Sequence, residues 1–367
     1  MLNTIMQRIQ ENKFVLIAEI GVNYYDIAKQ RGISAMEAAK LMIDRAKVAG
    51  VHAVKFQTYK AETLAAKNSP SYWDTSEEAE TSQFALFKKF DSFGQTEYQS
   101  LANYCDEIGI EFLSTPFDIE SADYLYNMMN IYKISSSDLN NLPFVEYQAK
   151  KNKPIIISAG ASNLKEIRTS IDLIRKYNNQ PIVLMHCVLE YPTPYEHANL
   201  NQIVTLKKEF PNLIIGYSDH TKPDEGYNVI QTAYNLGAQV IEKHFTLDKT
   251  LSGNDHYHAM DENDVTNIVK KIDYIDLIRG DYEVKCLPSE MAARENARRS
   301  LVSACKIYKG TIISPTMIIA KRPGTGILAN DFGKIVGKTI LQDVEEDTIL
   351  KESMFTNTDD DTKYNKE

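Results

Sequence analysis

Short apolar runs recur along the chain, and most are followed by a stretch with helical patterning. Eight runs read as strands: 15–23 (VLIAEIGVN), 53–59 (AVKFQTY), 110–117 (IEFLSTPF), 131–138 (IYKISSSD), 154–162 (PIIISAGAS), 182–192 (IVLMHCVLEYP), 213–220 (LIIGYSDH) and 239–246 (QVIEKHFT). Most are continuously apolar rather than alternating, as expected of parallel strands covered on both faces. Between them, 34–50, 95–109, 163–177 and 228–237 carry apolar residues at helical spacing, and Gly50 supplies a stop for the first. Eight βα units over about 280 residues predict an α/β fold, a (β/α)8 TIM barrel. A doubly wound open sheet is the alternative, but EIGVNYY lacks the Gly-rich turn that opens such folds.

The texture changes after a last helical stretch at 264–280. A charged linker follows, and from residue 299 short apolar segments alternate with Gly/Pro turns, which predicts a small, mostly β domain. The expected organisation is a catalytic barrel over 1–283, a linker over 284–298, a small domain over 299–355 and a disordered tail over 356–367.

Composition narrows the class. The 367 residues are 43% hydrophobic and 25% charged, ordinary for a soluble globular protein. No run approaches the roughly 18 apolar residues of a membrane span. The first residues lack the apolar core of a signal peptide, so the expected location is cytoplasmic, with no membrane partner. Cys105, Cys187, Cys286 and Cys305 are scattered and form no zinc or disulfide pattern. A net charge of −9 argues against nucleic-acid binding but leaves room for a local cationic pocket that takes a small anion.

Chemistry in such barrels sits where strands end and βα loops begin. Glu19, Lys55, Thr115, Lys133, Ser136, Ser158, His186, Ser218, His220 and His244 all fall late in an expected strand. Any one alone reads as a satisfied core polar group; all ten together mark a site. Lys55 and Lys133, with Thr115, Ser136 and Ser158, suit a phosphate or carboxylate. Either lysine could instead form a Schiff base. His220 and His244 end the last two strands and suit a divalent metal, with Glu19 as a third ligand or a general base. Asp255, in the loop LSGNDHYH, overhangs the expected mouth or merely caps a turn. Arg322, in the turn KRPGTG, is a solvated turn residue unless the small domain folds over a barrel mouth, its own or a partner's. Glu242 alternates with His244 and can share its face, whereas Lys243 points the other way.

The strings IAEIGVN, AVKFQTY, FLSTPFD, YKISSSD, HCVLEYPTP, GYSDHT and IEKHFTLDK, followed by RSLV and KRPGTGI, resemble the sialic acid synthases in order over nearly the whole chain. That family includes N-acetylneuraminate, legionaminate and pseudaminate synthases. The resemblance implies a TIM barrel followed by an antifreeze-like (SAF) domain. It implies a transferase that condenses phosphoenolpyruvate with an open-chain N-acylated amino sugar, N-acetylmannosamine or a 2,4-diacetamido relative. The products are a nonulosonic acid, used for cell-surface polysaccharide, and phosphate. A bound Mn2+ or Mg2+ polarises the aldehyde, C3 of phosphoenolpyruvate attacks it, and phosphate leaves with C–O cleavage.

By the same resemblance, His220 and His244 are metal ligands. Lys55, Thr115, Lys133, Ser136, Ser158 and Ser218 hold phosphoenolpyruvate, and Glu19 handles water or its proton. Tyr191 and Asp255 lie at the sugar, Asp255 among the catalytic groups. Arg322 reaches the barrel of the other subunit in a domain-swapped homodimer. The chain departs from the family pattern in two loops. Asn23-Tyr24-Tyr25-Asp26 replaces N-H-x-G, with YDIAKQRGIS lengthening the first βα loop, and Leu189 replaces a polar residue. A Schiff-base aldolase built on Lys133 or Lys55 and a non-catalytic sugar-binding protein are the rival readings.

Overall fold

The computed structural model describes residues 4–73, 75–76, 78–253 and 255–356, in two compact units that divide after Gly280. The first unit contains eight parallel strands: β1 (Val15–Gly21), β2 (Ala53–Thr58), β3 (Glu111–Pro116), β4 (Tyr132–Ile134), β5 (Ile155–Ser158), β6 (Ile182–Cys187), β7 (Ile214–Asp219) and β8 (Val240–His244). They pair in the order β3-β2-β1-β8-β7-β6-β5-β4, and β3 lies against β4, so the sheet closes into a TIM barrel.

Helices pack on the outside for reasons visible in their sequences. In Ala35–Ala49, Ser34 and Glu37 form a reciprocal capping box, Ala38, Ala39, Met42, Ile43 and Ala46 are buried, and Gly50 ends the helix at φ +112°. Leu164–Tyr177 repeats the scheme, with Asn163 capping and Ile167, Ile171 and Ile174 facing the core. The stretch YDIAKQRGIS, expected to lengthen a loop, is largely helix: Tyr24–Arg31 is helical, and Tyr24, Ile27 and Ala28 are buried at positions i, i+3 and i+4. Among the described residues, no helix is long and apolar enough to cross a membrane.

Strand parity divides each strand between two cores. Leu16, Ala18 and Ile20 of β1 face the helices, whereas Val15 and Ile17 join Ala53, Leu113, Ile131, Ile156, Val183, Met185 and Val240 in a second cluster. A short helix, Ile5–Gln10, adds Ile5 and Ile9 to that second cluster, and the Ile5 N–H donates to Glu111 Oε2 at 2.7 Å. One end of the barrel interior is therefore packed and apolar. Continuing the same parity toward the strands' C-termini brings in Glu19, Lys55, Thr115, Lys133, Ser158, Ser218, Glu242 and His244, so the other end is polar.

The second unit has an antiparallel pair, β9 (Ser300–Ser303) and β10 (Ile318–Lys321), joined by isolated bridges to neighbouring segments. Its own core includes Leu301, Ile307, Ile313, Ile318, Ile340 and Leu350. The stretch expected as a linker, 284–298, contains a helix over Met291–Ala297. Of the tail expected to be disordered, 357–367 lies outside the described residues.

Candidate active site

The polar end of the barrel opens into a cavity of about 540 Å³. Glu19, Lys55, Thr115, Lys133, Ser136, Ser158, Tyr191, Ser218, His220 and His244 all line it. Gln57, Cys187 and Glu242 line it as well. Asp255 lines an adjoining cavity with Asn23, Tyr191 and His244. Arg322 is exposed and belongs to the second unit, where it follows β10.

At the cavity floor, buried charges form a ladder. Lys55 Nζ lies 2.5 Å from Glu19 Oε2 and 3.8 Å from Glu242 Oε1, and it donates to Thr115 Oγ1 at 3.0 Å. Lys133 Nζ donates to Glu242 Oε1 at 3.0 Å and to Ser158 Oγ at 2.7 Å. Ser218 Oγ donates to the same Glu242 oxygen at 3.3 Å, and Gln57 Nε2 donates to Glu19 Oε1 at 2.9 Å. Register explains the meeting: Glu19 pairs with both Lys55 and His244 on the flanking strands, and Ser218 pairs with Glu242. Burial disfavours the Lys55 ammonium, but the adjacent Glu19 and Glu242 raise its pKa. Burial lowers the pKa of Lys133, which Glu242 only partly offsets. For Glu242 burial acts to raise the pKa, and the nearby Lys133 and Lys55 outweigh it, holding the carboxyl at about 2.

Ser136, in the turn after β4, accepts the Gly160 N–H at 3.0 Å. A Cβ on Gly160 would lie 2.9 Å from both Ser136 Oγ and Leu189 Cγ, so the close approach requires glycine.

The cavity rim carries the histidines. His220 Nδ1 donates to the Val188 carbonyl at 2.9 Å, a tautomer that leaves the Nε2 lone pair free. Its ring centroid is 5.5 Å from that of His244 and 4.2 Å from that of Tyr191. His244 Nδ1 is buried without a hydrogen bond among the described residues, 3.7 Å from Asp255 Oδ2. Burial drives His220 down to about 3, assisted by His244, and drives His244 down to about 4, so both rings are neutral near pH 7. Burial raises Asp255 to about 6. His244, Asp255 and His258 each offer a ligand atom, all within 4.8 Å of one another. Orphaned imidazole nitrogens beside a carboxylate fit a divalent metal.

Two readings of the sequence need correction. His186, grouped with the strand-end polar residues, does not line the cavity. Its neighbours Val183 and Met185 face inward, so parity turns it outward, where it stacks on Tyr217 at 5.4 Å and its Nε2 bonds the Ala198 carbonyl at 2.8 Å. His258 was missed altogether because it sits in a loop with no periodicity to mark it. Gln57 and Cys187 could have been found, since each lies two residues from an inward-facing position. Lys243, buried on the outer face, pairs with Asp219 Oδ2 at 2.8 Å.

Comparison with known proteins matches residues 42–284 to the NeuB family and residues 298–356 to the SAF domain. The chain is 36% identical to N,N'-diacetyllegionaminic acid synthase of Legionella pneumophila over 91% of its own length and 92% of the relative's. It is 30% identical to N-acetylneuraminate-9-phosphate synthase of Homo sapiens, covering 93% of this chain and 92% of that one. Among solved structures, N-acetylneuraminic acid synthetase of Leptospira borgpetersenii, in complex with citrate, superposes with a TM-score of 0.66 at 32% identity, covering 77% of this chain and 90% of that one.

Proposed function

The chain belongs to the NeuB family, and from that premise we propose that it condenses phosphoenolpyruvate with an N-acylated amino sugar, giving a nonulosonic acid and phosphate. One observation carries the reading: two buried lysines, three hydroxyls and two neutral histidines converge on one cavity. Phosphoenolpyruvate presents a phosphate and a carboxylate. Lys55 and Lys133 supply the cations for them, and Thr115, Ser158 and Ser218, with Ser136 at the edge, supply hydroxyls. Glu19 and Glu242 hold the two ammonium groups in position meanwhile. In this reading Glu19 takes the proton of the water that adds at C2 of the substrate.

His220 and His244 hold the divalent ion, Mn2+ or Mg2+. The support is the orphaned His244 Nδ1 and the backbone bond that fixes the His220 tautomer. When bound, the ion supplies Lewis acidity to the aldehyde oxygen of the sugar. Asp255 and Tyr191 orient the sugar beside it. The product named for the Legionella pneumophila relative carries two acetyl groups, which calls for an acceptor that already carries two acylated amines, so a 2,4-diacetamido sugar is the first acceptor to test and N-acetylmannosamine the second. Arg322 binds the acyl-amino group in the barrel of a second subunit, which makes the working form a domain-swapped homodimer.

The test is phosphate release from phosphoenolpyruvate with each sugar in turn. Release is expected to need both an N-acylated aldose and a divalent ion, and to stop with a chelator. No release with any member of the panel overturns the reading. One observation favours a second chemistry: burial lowers the pKa of Lys133, as imine formation requires. Borohydride trapping of pyruvate on the protein, insensitive to chelator, would establish that aldolase instead.

A further inference from the structure

The loop after β8 is pinned on several sides. Asn23 Nδ2 donates to the carbonyls of Phe245 and Asp255 at 3.2 and 3.3 Å. His256 Nδ1 meets Thr246 Oγ1 at 2.7 Å and its Nε2 meets Asp26 Oδ2 at 3.3 Å, while Tyr257 OH donates to the Tyr191 carbonyl at 2.8 Å. His258 is different. Its side chain is 0% exposed, and neither ring nitrogen has a hydrogen-bond partner among the described residues. A buried polar group left unsatisfied costs about 1–3 kcal/mol, so two such atoms on one ring call for a bonding partner, and the His244 and Asp255 ligand atoms within 4.8 Å make a cation the fitting one.

We infer that His258 is a third imidazole ligand of the ion, joining His220 and His244 from the loop, and that the Asp255 carboxylate beside it reaches the ion as well as the sugar. This rests on the metal reading above and goes beyond its pair of strand-end histidines. The His258 ring lies 4.9 Å from that of His244 and 6.2 Å from that of His220. Ligand atoms about 2.0–2.2 Å from one ion lie roughly 3–4.4 Å apart. The ligand atoms of His244, Asp255 and His258, already within 4.8 Å of one another, need only a small contraction to share it. The donor set then becomes rich in nitrogen. Imidazole favours transition ions over Mg2+, which prefers oxygen and retained water. His258 accordingly biases the site toward Mn2+ and the later transition ions.

The test uses the full-length protein with Mn2+ alone or Mg2+ alone. Pulsed electron paramagnetic resonance counts nitrogen couplings to Mn2+, and calorimetry gives both affinities. His258→Ala and His258→Gln should each lose one nitrogen coupling relative to the parent. Mn2+ affinity should fall about tenfold or more and Mg2+ affinity much less. Metal-free melting within a few degrees of the parent shows that the fold persists. Unchanged coupling and affinity in both variants overturn the inference. If His244→Ala still abolishes binding in that case, the metal reading survives. A parent protein that binds neither ion overturns both.

Discussion

Lys133 Nζ lies 3.0 Å from Glu242 Oε1, and both side chains are buried at the polar end of the barrel. Lys55 approaches the same oxygen at 3.8 Å, so one carboxylate serves two ammonium groups. Removing its charge leaves two buried cations, with Glu19 still paired to Lys55 at the floor. Glu242→Gln should lower stability by about 3–5 kcal/mol, the usual consequence of breaking a buried pair. It should also bind inorganic phosphate more tightly, by at least about tenfold, because the charge removed near the anion is worth several kcal/mol even at an effective dielectric of about 20. Urea denaturation and phosphate titration read the two effects separately. Weaker phosphate binding would show that Glu242 positions the anion rather than competing with it.

Lys133→Met removes a donor while keeping most of the aliphatic stem. A charge-assisted hydrogen bond contributes about 1.5–3 kcal/mol, so kcat/KM for phosphoenolpyruvate should fall roughly 10- to 100-fold. The loss should lie mainly in KM if the lysine holds the anion equally in ground and transition states. A complete loss of turnover, together with a borohydride-trapped adduct in the parent, would point to covalent chemistry.

Much of this site was legible in the sequence because barrel strands obey a period of two. Once Val15 and Ile17 are inward, Glu19 must be, and the same count places Lys55 and Gln57 on β2 and Glu242 and His244 on β8. The misreadings have physical causes. His186 sits among inward-facing neighbours of opposite parity, and a continuous apolar strand buried on both faces hides which parity is which. His258 lies in a loop whose course depends on distant contacts with Asn23, Asp26 and Tyr191, none of them encoded locally. The helix Tyr24–Arg31 was obscured by a polar composition, although Tyr24, Ile27 and Ala28 kept helical spacing.

Gly160→Ala tests how Ser136 is held. The added methyl would meet Ser136 Oγ and Leu189 Cγ at 2.9 Å and Cys187 Sγ at 3.0 Å. Leu189 can rotate, but the Ser136 hydroxyl bonded to the Gly160 N–H must move. Overpacking of this kind costs about 1–3 kcal/mol. KM for phosphoenolpyruvate should rise several-fold with kcat less affected. Steady-state kinetics decide it: an unchanged KM removes Ser136 from the anion site.

Acid should destabilise the barrel through His52, far from the proposed chemistry. Its Nδ1 accepts the Leu16 N–H at 2.9 Å, so the ring must stay neutral there to keep that bond. Burial, with Arg8 adding to it, lowers the folded pKa to about 4, against about 6.5 in the unfolded chain. Between these values the unfolded state binds the extra proton, so stability is present above about pH 6.5 and is lost as pH falls toward 4. The full shift corresponds to about 3 kcal/mol, less whatever solvent screening the ring's partial exposure allows. Other buried histidines contribute in the same direction, so the parent slope alone is not diagnostic. His52→Gln keeps an acceptor but cannot titrate. Unfolding free energies across this pH range should therefore show a shallower slope in the variant, and equal slopes would mean that His52 takes up its proton alike in the folded and unfolded chain.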